Sequence, residues 1–229
     1  MLTRIHRQLR RVLCPPLHSP DVKVAYEFLG NSYGGWPLLG STPANSLIFS
    51  FGVGQDISFD LAAVQKFLCR VHAFDPTPKS REWIARQQLP ADLVFHPVGI
   101  AAYDGQAEFY APQQDGHVSF SISPSRGAAA RPPVIANVMR LQTIIDQLGL
   151  GYPDILKMDI EGFEYDVVKD MILGRIRPSQ LLIEFHHGMY GISNEKTIYA
   201  VRLILQSNYR LFFVSETGRE YGFLKVANN

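Results

Sequence analysis

The last stretch of the chain limits its possible folds more than any other. Tyr209–Ser215 and Glu220–Val226 are two short runs rich in aromatic and β-branched residues, joined by a turn at Thr217-Gly218. Strands joined so tightly must be antiparallel, because parallel neighbours need a crossover of a dozen residues or more. Upstream the pattern is different. Ser46–Phe51, Arg70–Phe74, Asp92–Val98, Asp154–Met158 and Gln180–Phe185 are short apolar runs that read as buried strands. Most are followed by segments of helical periodicity. The sequence therefore predicts an α/β chain with a doubly wound, mostly parallel sheet of seven strands that ends in an antiparallel hairpin. A plain dinucleotide-binding domain would instead continue with another βα repeat.

Several connections can be read in the same way. Asp56 is expected to cap a helix whose apolar face is Phe59, Leu61, Val64, Phe67 and Leu68. Pro78 suits the first turn of the next helix. After the Asp104-Gly105 turn, Gln106–Ala111 reads as an added strand and Pro112–Pro133 as a surface loop. Val138, Leu141, Ile144, Ile145 and Leu148 recur at helical spacing up to Gly149. Asn194–Ser207 is predicted to be helical, and a helix is expected to follow Met158 directly and run to Leu173.

At 229 residues and 46% hydrophobic composition, the chain fits one large domain over residues 41–229. Residues 1–40 are expected to form an N-terminal basic amphipathic helix and an irregular glycine-rich segment that covers a site. The net charge of +1 gives no general pull toward nucleic acid, and no window reaches the roughly 18 apolar residues of a membrane span. Cys14 and Cys69 form no metal-spaced pair, which fits a reducing cytoplasm. The oligomeric state is not specified.

Four groups of residues carry chemistry. Phe51-Gly52-Val53-Gly54-Gln55-Asp56 follows the first strand of the alternation, where glycines allow backbone amides to approach a ligand. A dinucleotide fingerprint requires a third glycine where this chain has Ile57, so a pyrophosphate ligand is disfavoured. Asp75 ends the second strand, where a carboxylate can accept both ribose hydroxyl protons. Asp159 ends the fourth strand, and Glu161 and Glu164 are expected in the first turn of the following helix. Glu184, His186 and His187 end the fifth strand at the same edge, and either imidazole is a candidate base.

Leu156–Glu164, with Leu182-Ile183-Glu184-Phe185-His186 downstream, closely resembles the FkbM-type methyltransferase family. Its hallmark is an Asp-x-Glu-Gly-x-Glu stretch followed one βα unit later by a strand ending in Glu. The resemblance extends from about Leu47 to Leu211. It implies a Rossmann-like class I methyltransferase fold, S-adenosylmethionine as cofactor, and methyl transfer to a hydroxyl of a small molecule or glycan. With that cofactor, the residue reading assigns Phe51, Gly52, Gly54, Gln55, Asp56, Asp75 and Asp159 to its binding, and His186, Asp159 and Glu161 to catalysis, with His186 as base. Family members commonly read Asp-x-Gly-Ala-Asn-x-Gly in the first loop. Here Ser50 replaces the strand-end acid, so Asp56 or Gln55 is expected to take part of its role. With Tyr26-Glu27-Phe28-Leu29-Gly30 ahead of it, this variant resembles the animal methyltransferase-like branch.

A divalent metal held by Asp159, Glu161, Glu184 and His186 is a further option, since oxygen and imidazole ligands at adjacent strand ends can lower a hydroxyl pKa. Two other functions compete: a non-catalytic nucleoside-binding module of the same fold, and a nicotinamide-dependent oxidoreductase.

Overall fold

The structure is a computed structural model that describes residues 17–110 and 132–227. The main sheet has seven strands: β3 (Leu47–Phe51), β4 (Arg70–Phe74), β5 (Leu93–His96), β9 (Ile155–Met158), β10 (Gln180–Glu184), β11 (Tyr209–Val214) and β12 (Glu220–Lys225). Their order is β11-β12-β10-β9-β3-β4-β5. Every pairing from β10 to β5 is parallel, whereas β12 is antiparallel to both β10 and β11. The sheet is thus the mostly parallel one expected, with the antiparallel closing hairpin. Chain order reverses at β3, which has β4 on one side and β9 on the other. In open α/β sheets the crevice beyond the strand ends at such a point is where ligands bind.

Alternation along β3 sends its side chains to opposite faces. Leu47, Phe49 and Phe51 join a core with α3 (Leu141–Leu148), α4 (Glu164–Leu173) and α5 (Asn194–Gln206). Ile48 faces the other side, against α1 (Ser58–Phe67) and α2 (Pro78–Ile84). Both faces are covered, which explains why these strands read as continuous apolar runs.

Three departures concern the periphery. The glycine-rich segment is not irregular throughout: β1 (Tyr26–Leu29) and β2 (Trp36–Leu39) form an antiparallel hairpin. Its Leu29, Trp36 and Leu38 are buried in the same core as α1. Val138, expected on a helix, lies in β8 (Val134–Met139), which pairs with β7 (Gly105–Phe109) and β6 (Gly99–Ile100). β-Branched Val134, Ile135 and Val138 favour strand there, and the helix begins only at Leu141. Finally, Asp56 is not the N-cap of α1. Ile57 holds that position, and the Asp56 carboxylate instead accepts the Ser58 N–H. The amphipathic segment at residues 1–14 and nearly all of the Pro112–Pro133 loop lie outside the described residues.

At the β4–β5 edge, His72 Nδ1 and His96 Nε2 are 2.8 Å apart and their rings stack. Burial, with the His96 and Arg70 charges, lowers the His72 pKa to about 4. A histidine held neutral in the fold but free to protonate when unfolded contributes stability above the unfolded pKa near 6.5, and that stability is lost as pH falls through 4. We expect wild-type protein to lose stability between pH 6.5 and 4, and His72→Phe to lose measurably less. Chemical denaturation across that window checks this, and superimposable pH profiles would refute it.

Candidate functional site

The loop after β3 is shaped by two glycines with different duties. Gly52 has a φ of 74°, and a Cβ there would fall 1.6 Å from the Asp159 carbonyl oxygen. Only glycine lets the β9 end lie against this loop. Gly54, with a φ of 53°, faces open space, with nothing within 4 Å of its missing Cβ. Its N–H donates to Asp75 Oδ2 at 2.9 Å, while Asp75 Oδ1 accepts from the Thr77 N–H and hydroxyl. Thr77, not Asp75, caps α2. The Asp75 carboxylate is therefore a fixed acceptor that joins the β3 and β4 ends.

The turn of the β1–β2 hairpin is seated on this loop. Asn31 Nδ2 donates to Asp56 Oδ2 at 2.6 Å, and the Asn31 N–H donates to Ser58 Oγ. Although partial burial would raise its pKa, the hydrogen bonds from Ser58 and Asn31 and the nearby Lys157 charge hold the Asp56 carboxyl below its ordinary value. Beneath the loop, Lys157 is only 6% exposed. Its Nζ donates to the Phe51 and Gly52 carbonyls at 3.3 and 3.2 Å and lies 5.6 Å from the Trp36 ring centroid.

The second half of the site is a carboxylate cluster around His186. The imidazole is 2% exposed, with Nδ1 3.2 Å from Glu164 Oε1 and Nε2 3.2 Å from Glu161 Oε2 and 3.7 Å from Asp159 Oδ1. Burial opposes the charged ring, yet the bonds to Glu161 and Glu164 prevail and push its pKa up to about 11. The two carboxylates thus favour the protonated ring. Glu164 is fully buried and also accepts the backbone N–H groups of His186 and Gly162. Tyr190 donates to Glu161 Oε2 at 2.6 Å. Burial and the Asp159 charge push the Glu184 carboxyl up to about 8, and burial also raises that of Asp159.

All ten residues assigned from sequence to cofactor, catalysis or metal line one cavity of about 1240 Å³ at the carboxyl edge of the sheet. His187 is not among its lining residues; its Nδ1 is 3.2 Å from the Thr197 hydroxyl. Glu161 is not in a helical turn either. It has a φ of 51° and precedes α4, which starts at Glu164, so its carboxylate is delivered by a left-handed loop residue. Tyr33 and Trp36 of the covering segment line the cavity, as do Lys157 and Tyr190, which were given no role from sequence. Lys157 did leave a signal: a cation in the otherwise apolar run Ile155–Met158.

Residues 44–223, well over half of the chain, match the model of the family described as Methyltransferase FkbM domain. The chain belongs to this family. Among curated relatives, "Probable methyltransferase-like protein 24" of Homo sapiens is 27% identical over 141 residues, which is 61% of this chain and 32% of the human protein. Its Rattus norvegicus counterpart is 26% identical over the same shares. The match thus spans about a third of the curated relatives' length. A solved structure of methyltransferase FkbM from Methylobacillus flagellatus KT aligns with 79% of this chain and 43% of its own at 16% identity and a TM-score of 0.49. Among the described residues of this FkbM domain, no helix is long and apolar enough to cross a membrane.

Proposed function

We propose that this FkbM domain binds S-adenosylmethionine across the ends of β3, β4 and β9 and transfers its methyl group to a hydroxyl of a small molecule or glycan. The observation that carries this reading is the convergence of the glycine loop, Asp75 and the Asp159–His186 cluster on one cavity at the switch point of the sheet. The space at Gly54 beside the fixed Asp75 carboxylate fits a nucleoside ribose, and the missing third glycine at Ile57 argues against a pyrophosphate. When bound, the cofactor supplies an electrophilic methyl carbon on a sulfonium.

The acceptor side is formed by the β1–β2 hairpin, the β11–β12 turn and the carboxylate cluster. Tyr26 and Phe28 lie against Phe213 with centroids 5.5 and 6.4 Å apart, and Tyr33 is exposed at the mouth. Such rings and carboxylates suit the apolar faces and hydroxyl groups of a sugar or polyol. Asp159, Glu161 and His186 act on the acceptor as one unit. Because His186 already holds a proton between Glu161 and Glu164, we assign it as a fixed positive charge. Glu184, with its pKa raised to about 8, is the group able to take the hydroxyl proton near neutrality, with Asp159 beside it. A second reading rests on Asp159, Glu184 and His186, whose ligand atoms lie within 4.8 Å of one another, a spacing open to a divalent cation.

Calorimetry with S-adenosylhomocysteine and with NAD tests the proposal. We expect the first to bind and the second not. Asp75→Asn should weaken S-adenosylhomocysteine by roughly tenfold or more, since a charged acceptor is lost. Absence of S-adenosylhomocysteine binding would overturn the reading, and binding without turnover on any hydroxyl acceptor would leave the non-catalytic module.

A further inference from the structure

Lys157 is a buried ammonium that feels the charges of Asp56, Asp60 and Asp159 but is in direct contact with none of them among the described residues. Among the described residues it makes no ion pair: its Nζ donates only to the Phe51 and Gly52 carbonyls and rests near the Trp36 ring. An ammonium has three protons, so one donor is unclaimed. Ser50 stands opposite Lys157 in the β3–β9 register, yet its hydroxyl is buried without a hydrogen-bond partner among the described residues. Asp60 on α1 is 2% exposed and its Oδ1 is also unpartnered. A buried cation without a direct counter-ion contact is costly, and Lys157 lines the cavity, where a ligand anion can reach its unclaimed N–H.

We infer that Lys157 is a carboxylate-binding residue that receives the α-carboxylate of an amino-acid-bearing nucleoside in this cavity. The assignment rests on the S-adenosylmethionine reading and makes it specific at one end of the ligand. The tail carries both charges, and the cavity offers both complements: Lys157 for the carboxylate, and Asp56 and Asp159 for the ammonium group. Ser50 is part of the device, because a small neutral side chain opposite Lys157 leaves the cation available to a ligand.

The test compares two ligands that differ only at the carboxylate, S-adenosylmethionine and decarboxylated S-adenosylmethionine, by calorimetry on the full chain. Wild type should prefer the carboxylated form by about 10- to 100-fold, the range of one or two charge-assisted hydrogen bonds. Lys157→Met should reduce that ratio to about threefold or less by weakening only the carboxylated ligand. Ser50→Asp, which sets a counter-ion opposite Lys157, should reduce it in the same direction and serves if Lys157→Met does not fold. Equal binding of the two ligands by wild type overturns the assignment, as does a wild-type ratio in either folded variant. If wild type binds neither ligand, the cofactor reading falls together with this one, whereas binding without discrimination removes Lys157 alone.

Discussion

Gly52→Ala will yield little folded protein, whereas Gly54→Ala will fold and bind S-adenosylhomocysteine more weakly. At Gly52 the added methyl would sit 1.6 Å from the Asp159 carbonyl oxygen, inside bonding distance of a backbone atom. That carbonyl cannot rotate away like a side chain, because the Asp159 N–H is bonded to the Phe51 carbonyl at 3.1 Å. Overpacking costs about 1–3 kcal/mol even where side chains can yield. The left-handed φ adds roughly 1 kcal/mol for a residue with a Cβ. Against a total stability of about 5–15 kcal/mol, a loss near 4 kcal/mol is severe. Gly54→Ala bears only the conformational cost, since nothing lies within 4 Å of the new methyl. Its effect should appear in binding, as a drop in S-adenosylhomocysteine affinity of about tenfold or more, because the methyl enters the space beside Asp75. Thermal unfolding and calorimetry on the two variants check the contrast. Similar melting temperatures would show that the loop can move off β9, and unchanged affinity in Gly54→Ala would show that the ligand lies elsewhere.

The contrast marks where the sequence stopped being informative. Two glycines at a strand–helix junction are legible as a loop requirement, but sequence does not say which one faces open space and which the β9 backbone. The sheet was legible because burial on both faces gives near-continuous apolar runs, and because the turn at Thr217-Gly218 forces an antiparallel finish. The β1–β2 hairpin was not. It is a two-stranded ribbon with partly exposed residues and Pro37 within it, so neither alternation nor a continuous run stands out. At the site, strand-end carboxylates were legible because α/β topology collects strand ends at one edge. Their protonation was not, since it depends on distances: Glu161 and Glu164 at 3.2 Å favour a proton on His186, and no spacing in the sequence shows that. Tyr190, brought to Glu161 by the loop after β10, carries no spacing signal at all.

Replacing Glu164 will destabilise the domain more than replacing any exposed carboxylate, and the loss will depend on pH. Glu164 is completely buried and accepts three hydrogen bonds: from the His186 ring at 3.2 Å, the His186 N–H at 2.9 Å and the Gly162 N–H at 2.8 Å. Glu164→Leu retains bulk but strands an imidazolium and two backbone donors. Breaking a buried pair in this way costs about 3–5 kcal/mol. Because the penalty falls on the stranded cation, adding His186→Leu should recover part of it, a coupling that a double-mutant cycle measures. The pH sign follows from the direction of the shift. The His186 pKa is raised in the folded state to about 11, above the unfolded value of 6.5. Its contribution is fully present below pH 6.5 and declines as pH rises toward 11, so wild-type stability should fall between pH 6.5 and 9. Glu184, raised to about 8, acts with the same sign. Glu164→Leu removes one of the two carboxylates that hold the proton, so its profile over that window should be flatter. Urea denaturation in the presence of a chelator, at half-unit steps from pH 6.5 to 9, resolves the two slopes. Parallel profiles, or a loss below about 1 kcal/mol at pH 7, would mean that Glu164 fills space without holding the charge of His186.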